Sequence, residues 1–192
     1  YSSISHMGFV LLGLAAFTPQ AMTGALLQMF NHGTITAMLF LLVGVLYDRA
    51  HHREIDGFGG LALTMPVYST WTAFAFFAAI GLPGLSGFVS EVLVLLGAWK
   101  TWPAFTALGA SGIILGAGYM LWTLQRVFLG PVNEKYAGLP DIGPREALTL
   151  LPLAILVLGV GIYPGPILEL MTSSVGQLLR HVTRDGAMLA GL

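Results

Sequence analysis

The 192-residue chain contains no cysteine. Disulfide bonds, thiolate catalysis, cysteine-ligated iron–sulfur clusters and cysteine-based zinc sites are therefore excluded. Charged residues are scarce, at 9% of the chain against roughly 25% in an average soluble domain. The formal net charge is −1, and no basic cluster with interleaved aromatic residues occurs. These features argue against a nucleic-acid partner.

Apolar side chains take the place of the missing charge. They make up 56% of the chain, and the mean hydropathy is +0.81. Only helices and closed barrels satisfy their backbone inside a lipid bilayer. We therefore expect an all-α, polytopic transmembrane helix bundle that forms a single membrane domain over residues 1–192. No basic segment precedes the first apolar run and no small-residue cleavage site follows it, so we do not interpret this run as a signal peptide. The first residue is Tyr1 and not Met, and we interpret the chain as a piece of a longer protein.

About five crossings are expected when each helix needs roughly 20 apolar residues. Residues 1–163 are predicted to hold these transmembrane helices, and residues 164–184 to form an amphipathic helix at the membrane interface. The predicted crossings cover about 3–17, 21–47, 66–98, 104–127 and 147–163.

The third crossing is predicted to be discontinuous. Residues 66–82 form one half, residues 83–87 the break and residues 88–98 the other half, with Pro83, Gly84 and Gly87 interrupting the helix. Two separate short crossings, which would give six in total, are the alternative. One broken helix is preferred because the PGLSG stretch is too short and too apolar for an aqueous loop.

Glu91 is the only acidic or basic side chain between Met65 and Lys100. A charge at the centre of a membrane helix costs about 2.5–3.5 kcal/mol on insertion scales. Such a residue must be neutral, paired or hydrated, and each of these states suits a proton or ion path. A purely structural ion pair with a helix outside this chain is the alternative.

Two histidines are also expected at membrane depth. His6 follows a polar start of the first helix, and His32 shares a helix face with Gln28 because the two are four residues apart. Histidine exchanges protons near neutral pH. Three titratable groups on separate helices therefore favour a proton relay, in which His32 would pass protons to Glu91. Hydrogen bonding or packing without transport is the alternative reading of each histidine.

The loop after the second helix carries most of the remaining charge. His51 and His52 are expected to be solvated and to form no metal site, and the acids and bases at 48–56 to be a solvated, locally paired loop. No phosphate loop, dinucleotide fingerprint, catalytic triad or haem-ligand pair occurs. The residues thus predict an ion- or proton-conducting subunit without catalytic residues or a cofactor of its own.

The chain resembles the antiporter-like M-type (chain 4) subunits of the proton-pumping NADH:quinone oxidoreductase, respiratory complex I. The resemblance lies in five consecutive stretches: YSSISHMGFVLLG, GALLQMFNHGTITAMLFLLVGVLYDRAHHREIDGFGGL, LPGLSGFVSEVLVLLG, RVFLGP and DIGPREALTLLPL. It implies the second half of an inverted-repeat, antiporter-like fold, as the C-terminal fragment of a longer subunit. The break at Pro83, Gly84 and Gly87 would be the discontinuous helix of that repeat.

The resemblance also implies a function. Glu91 would be the carboxylate that ends a proton half-channel, and His32 and His6 would match polar residues on its central axis. Proton translocation would be coupled to electron transfer in other subunits, where NADH, FMN, iron–sulfur clusters and quinone would bind. The partners would be L-type and N-type antiporter-like subunits within the lipid bilayer of the cell (inner) membrane.

Two rival functions stay open. One is a subunit of an Mrp-type cation/proton antiporter or of a membrane-bound hydrogenase, and Glu rather than Lys at position 91 favours the M-type subunit over these. The other is a membrane scaffold that anchors redox partners and conducts no ions.

Overall fold

Eight α-helices are joined by short connections in the computed structural model, which describes residues 2–190 and side chains as far as residue 182. Those residues contain no β-strand, as the sequence predicts. The helices are α1 (Ser2–Ala16), α2 (Pro19–Ala50), α3 (Leu61–Thr64), α4 (Pro66–Ile80), α5 (Ser86–Trp99), α6 (Pro103–Phe128), α7 (Pro144–Ile162) and α8 (Gly165–Ala190). Two single 3₁₀ turns lie at Ile55–Gly57 and Glu134–Tyr136.

Three of the helices, α2, α6 and α7, are long and apolar enough to cross a membrane. Helices α1, α4 and α5 are equally apolar but have only 15, 15 and 14 residues, which is short for a crossing on their own. Large apolar side chains on α6 point outward, including Ile114 and Leu115, which are 74% and 70% exposed. Such an exposed apolar surface suits lipid or a neighbouring membrane helix.

Helices α4 and α5 form one discontinuous crossing that runs antiparallel to α2. The Tyr68 hydroxyl donates to the carbonyl of Leu42 at one end of α2. Further along, Ser90 meets Gln28. At the other end, the Thr18 hydroxyl before α2 donates to the carbonyl of Gly97. Successive residues along α4 and α5 thus contact successively earlier residues of α2, as in an antiparallel pair. The two halves continue in one direction, so the six-crossing alternative is wrong.

The break lies at residues 81–85, slightly earlier than the predicted 83–87. Helix α4 ends at Gly81, where φ is +81°, and the amide of Leu82 donates back to the Phe77 carbonyl. Gly84 has φ of +93° and supplies the second left-handed position. Gly87 belongs to the first turn of α5 and not to the break itself, and it lies against the carbonyl of Ala78.

Helices α2 and α5 approach each other so closely that there is no room for a side chain at Gly24. A Cβ atom there would lie 2.7 Å from the backbone nitrogen of Val94 and 2.9 Å from Cβ of Leu93. Small residues at helix contacts provide van der Waals packing in membranes, where the hydrophobic effect does not drive helices together. The α2–α5 contact depends on this approach.

Arg49 at the end of α2 holds together the end of the bundle that carries the polar loops, which we expect to face water and call the water-facing end. Its Nη1 and Nη2 donate to the two carboxylate oxygens of Glu146 on α7, at 2.9 and 2.7 Å. Its Nε and Nη2 also donate to the carbonyls of Pro140 and Asp141. A two-point arginine–carboxylate pair fixes direction as well as distance. The expectation that these loop charges pair locally is wrong for Arg49, whose carboxylate partner Glu146 is 97 residues away.

His52 is not the solvated residue that the sequence suggested. Its ring stacks on Phe58 with centroids 4.4 Å apart, and its Nε2 lies 2.6 Å from the Tyr136 hydroxyl. Two loops distant in sequence are packed together here because each supplies an aromatic ring.

Helix α8 is present where the amphipathic tail helix was predicted, and it extends further, over Gly165–Ala190. Leu168, Met171, Val175 and Leu179 share one face at helical spacing, and Val175 is fully buried. That α8 lies at the membrane interface stays a prediction, as does the division into residues 1–163 and 164–184.

Gly24→Ala is expected to lower the stability of the intact complex. The new Cβ would meet backbone atoms of α5 that cannot move aside, and such overpacking typically costs about 1–3 kcal/mol. Thermal unfolding of the purified complex in detergent measures this as a lower midpoint. Gly44→Ala on the same helix is the control, since no atom lies within 4 Å of its Cβ. Equal midpoints for the two variants would contradict the close α2–α5 contact.

Asp141→Asn is expected to weaken the start of α4. Partial burial raises the pKa of Asp141, but hydrogen bonds from the backbone N–H groups of Tyr68, Val67 and Ile142, together with Arg49, hold the pKa below its usual value of about 3.9. A carboxylate with a lowered pKa stabilises the fold above the unfolded-state pKa, and that stability is lost as the pH falls through about 4 and below.

The measurement is the thermal midpoint of the complex between pH 7 and pH 3. Asp141→Asn should lower the midpoint at pH 7 by the equivalent of about 0.5–2 kcal/mol, as for loss of a helix cap, and should flatten its fall on acidification. Asp56→Asn, an exposed acid in the neighbouring 3₁₀ turn, is the control. A variant that loses stability in parallel with the unchanged protein at every pH would contradict the capping role.

Candidate functional site

Glu91 lies on the second turn of α5, in the angle formed by the helix break. Glu91 is only 4% exposed to solvent. Gly81, which ends α4, lies directly against the carboxyl group: a Cβ atom there would be 2.6 Å from Oε2 of Glu91. The break therefore brings Glu91 to the end of α4 and leaves space for its carboxyl group. Gly81 was not recognised from the sequence, where the Pro-Gly pair two residues later is the stronger signal.

The three titratable residues predicted from the sequence come together in a line. Nδ1 of His6 on α1 lies 3.5 Å from Oε1 of Glu91. The ring of His32 on α2 lies 5.5 Å from the ring of His6, centre to centre. The hydroxyl of Thr36, one turn further along α2, lies within 3.4 Å of both nitrogens of His32. The order is Glu91, His6, His32, so His6 stands between the two residues that the sequence interpretation connected directly.

A small cavity follows this line. It is lined by Glu91, His6 and His32, by Gln28 and Asn31 from α2, by Ser2 and Thr36, and by apolar side chains of α2, α4 and α6. Its volume for water-sized spheres is about 20 Å³. That is room for about one water molecule with several polar partners. The space is therefore suited to protons and water and is too small for an organic substrate.

A second set of polar side chains connects α2 to α5 beside the line. Nδ2 of Asn31 donates to the backbone carbonyl of Ser86 at 2.7 Å and to the hydroxyl of Ser90 at 3.0 Å. The Ser90 hydroxyl donates to Oε1 of Gln28, and Nε2 of Gln28 lies 3.5 Å from Nδ1 of His6. We call Ser86, Asn31, Ser90 and Gln28 the amide chain.

The sequence interpretation missed Asn31 and Ser90 and placed Gln28 beside His32. All three are at most 3% exposed. Their spacing held a signal, since Ser86 and Ser90, like Gln28 and His32, are separated by one helical turn. Which partner each one faces was not deducible, because α2 and α5 are distant in sequence. Oδ1 of Asn31 is buried and has no hydrogen-bond partner among the described residues.

No metal site is found in the part of the chain that the structure describes, where no three His, Asp or Glu side chains come together as ligands. The two histidines and the one carboxylate of the site do not form such a group. His6 instead contacts Glu91 directly. The arrangement can move a proton between a carboxyl group and imidazole rings in a medium that excludes most water.

Comparison with known proteins shows the family of the chain. Residues 1–116 match the family model described as NADH:quinone oxidoreductase/Mrp antiporter, transmembrane. The chain belongs to this family. It is 44% identical over 193 aligned residues to subunit M of the NADH-quinone oxidoreductase of Rhodobacter capsulatus, which covers 99% of this chain and 37% of that subunit. The chain thus spans little more than a third of the length of this relative.

Two solved structures share the fold. A chain of respiratory complex I from Thermus thermophilus matches with a TM-score of 0.84 and 35% identity over 93% of this chain and 38% of its own length. A chain of the Mrp complex from Dietzia sp. matches with a TM-score of 0.83 and 23% identity, over 98% of this chain and 43% of its own. The second likeness shows the fold alone. With its family and its apolar helices, the chain is a multi-pass membrane protein.

Gly81→Ala is expected to displace the carboxyl group of Glu91. The substitution adds a Cβ where φ is +81° and only 2.6 Å separates it from Oε2. Gly84→Ala is the matched control, because it carries a similar backbone strain at φ +93° but has open space around its Cβ. Both should cost roughly 1–2 kcal/mol from the left-handed backbone.

Structure determination of the two variant complexes checks this difference. The distance between Nδ1 of His6 and Oε1 of Glu91 should exceed 3.5 Å only in Gly81→Ala. An unmoved Glu91 in that variant would show that Gly81 does not set the position of the carboxyl group.

Proposed function

We propose that the intact protein translocates protons across the membrane as an antiporter-like subunit of an NADH:quinone oxidoreductase. The observation that carries the proposal is the line from Glu91 through His6 to His32, at the break of a discontinuous helix and at membrane depth. Ionisable residues inside a membrane bundle are rare and costly, and they mark substrate paths, ion paths and proton relays. Its sequence relatives, named as M subunits of this enzyme, support the same function.

The proton steps in this proposal use neighbouring groups of the site. His6 would begin with its ring proton on Nδ1, accept a second proton on Nε2 from the side of His32, and release the Nδ1 proton to the carboxylate of Glu91. The ring would then be neutral with its proton on Nε2, and Glu91 would be a neutral carboxylic acid. The 5.5 Å between the rings suits transfer through a water molecule, for which the cavity has room.

The redox chemistry would belong to other subunits. The chain has no cysteine for an iron–sulfur cluster, and we propose that it carries no redox site and no catalytic residue. NADH, FMN, iron–sulfur clusters and quinone would be bound elsewhere in the complex. The drive for proton movement would therefore reach Glu91 as a change in conformation or in a nearby charge.

The exposed apolar faces fit a subunit embedded among others. Solved relatives are chains of multi-subunit membrane complexes, and we propose L-type and N-type antiporter-like subunits and lipid as the neighbours in the cell (inner) membrane. Exposed Ile114, Leu115 and Phe105 on α6 would contact them.

A cation/proton antiporter of the Mrp type is the second candidate. It is favoured by the structural similarity between this chain and a chain of the Mrp complex from Dietzia sp., with a TM-score of 0.83. That likeness comes with only 23% identity, whereas relatives at 44% are M subunits of the oxidoreductase. Glu at position 91 also favours the M type. A sodium-dependent, NADH-independent proton flux in vesicles would support the antiporter instead.

Glu91→Gln in the full-length subunit of the assembled complex is expected to reduce the rate of proton pumping by roughly tenfold or more, which corresponds to about 1.4 kcal/mol or more in activation free energy. The amide keeps the shape of the side chain but cannot take up and release a proton. The measurement is quinone-dependent NADH oxidation together with acidification in proteoliposomes.

Glu54→Gln is the control, because Glu54 is exposed in the loop after α2. Undiminished pumping in Glu91→Gln with intact electron transfer would rule out the proton-carrier role. Undiminished pumping when His32 and Glu91 are both replaced would support a scaffold that conducts no ions.

A further inference from the structure

The backbone carbonyl of Ser86 sets the direction of the first hydrogen bonds of the amide chain. This oxygen can only accept, so the group of Asn31 that faces it at 2.7 Å must be the NH₂. The same NH₂ donates to Ser90 at 3.0 Å, so the Ser90 oxygen is used as an acceptor. The single proton of Ser90 has three acceptors within reach: Oε1 of Gln28 at 2.5 Å and the carbonyls of Gly87 and Ser86 at 3.0 and 3.4 Å. The nearest is Oε1 of Gln28.

The direction continues from Ser90 to His6. The Ser90 hydroxyl donates to Oε1 of Gln28, which fixes the amide so that its NH₂ points the other way. That NH₂ faces Nδ1 of His6 at 3.5 Å. An NH₂ group can only donate, so the geometry favours an Nδ1 that carries no proton, with the ring proton on Nε2.

The same nitrogen faces Glu91. Nδ1 of His6 is 3.5 Å from Oε1 of Glu91 and equally far from Nε2 of Gln28. If Nδ1 is bare, Glu91 makes a favourable contact only as a carboxylic acid whose O–H points to it. If Nδ1 carries a proton, it can bond to the carboxylate, but it then opposes the N–H of Gln28.

We propose that the amide chain favours the state after the transfer, in which Nδ1 of His6 is bare, the ring proton is on Nε2 and the transported proton is on Glu91. Gln28 is a positioning residue in this inference, and Ser90 and Asn31 fix its orientation. The inference rests on the proposed function and adds a residue that favours delivery of the proton from Nδ1 to Glu91 over its return. All four members are at most 3% exposed, and a hydrogen bond is electrostatically stronger in such a low-dielectric setting than in water.

The test is the protonation state of the His6 ring in the intact, membrane-embedded complex. Solid-state ¹⁵N NMR of the complex labelled with ¹⁵N-histidine separates bare from protonated ring nitrogens, and the His6 signals are assigned by their loss in His6→Gln. In the unchanged complex, Nδ1 of His6 should be bare and hydrogen-bonded.

Three substitutions should each shift the ring proton of His6 from Nε2 toward Nδ1. Gln28→Met removes the donor, and Ser90→Ala leaves the amide in place but frees it to turn. Each should raise the ratio of Nδ1-protonated to Nδ1-bare ring by about 2- to 10-fold, the worth of one hydrogen bond. Gln28→Glu keeps the shape and replaces the donor by an acceptor, so Nδ1–H should predominate.

Thr23→Val is the matched control. Thr23 is a buried residue of the same helix, and its hydroxyl bonds only to its own helix, at the carbonyl of Pro19. It should leave the His6 signals unchanged. A proton on Nδ1 in the unchanged complex, or identical signals in Gln28→Met, Ser90→Ala and the control, would overturn the inference.

Failure of this inference and failure of the proposed function give different results. Normal pumping in Glu91→Gln removes the function whatever the histidine signals show. Loss of pumping in Glu91→Gln with His6 signals that ignore Gln28 and Ser90 leaves the function in place and removes only the positioning role of Gln28.

Discussion

Helices α2 and α5 have to satisfy polar groups that lie where lipid offers no hydrogen bonds. An apolar medium makes every polar group without a hydrogen-bond partner expensive. In this protein the side chains of Asn31, Ser90 and Gln28 are hydrogen-bonded to one another and to the Ser86 carbonyl, and Gln28 extends the contact to His6 on α1. The close approach at Gly24 makes these contacts possible. The break and the position of Glu91 both depend on this contact between α2 and α5.

Different interactions stabilise the water-facing end of the bundle and the level of Glu91. At the water-facing end, Arg49 pairs with Glu146 and Asp141 caps α4, using charges that would be costly deeper in the membrane. At the level of Glu91, neutral amides and hydroxyls take over, with one carboxyl group and two imidazoles. Charge that fixes structure is thus separated from the groups that could carry protons. A proton arriving near Glu91 meets no nearby arginine or lysine among the described residues that would hold it.

Much of this was predictable from the chain itself. Low charge, no cysteine and long apolar runs predicted a helical membrane bundle, and Pro83-Gly84 beside a lone glutamate predicted the broken helix. Family membership and fold are confirmed by the comparisons, whereas the roles of Glu91, His6 and His32 stay predictions. The break was misplaced by about two residues because Gly81, not Pro83, ends α4. Local sequence shows where a helix can stop, but hydrogen bonds along the chain decide the residue.

The sequence by itself determined which residues are titratable at depth, since hydropathy and the scarcity of charge are properties of composition. Only the tertiary structure decided their order, in which His6 separates Glu91 from His32, and their partners on the amide chain. The reason is that His6, Gln28 and Glu91 lie on three helices, and sequence periodicity gives the face of a helix but not the neighbour it meets. Arg49 and Glu146, 97 residues apart, show the same limit at the water-facing end. Close packing of α1, α2 and α5 supplies what periodicity lacks, because it places side chains within bonding distance of specific partners.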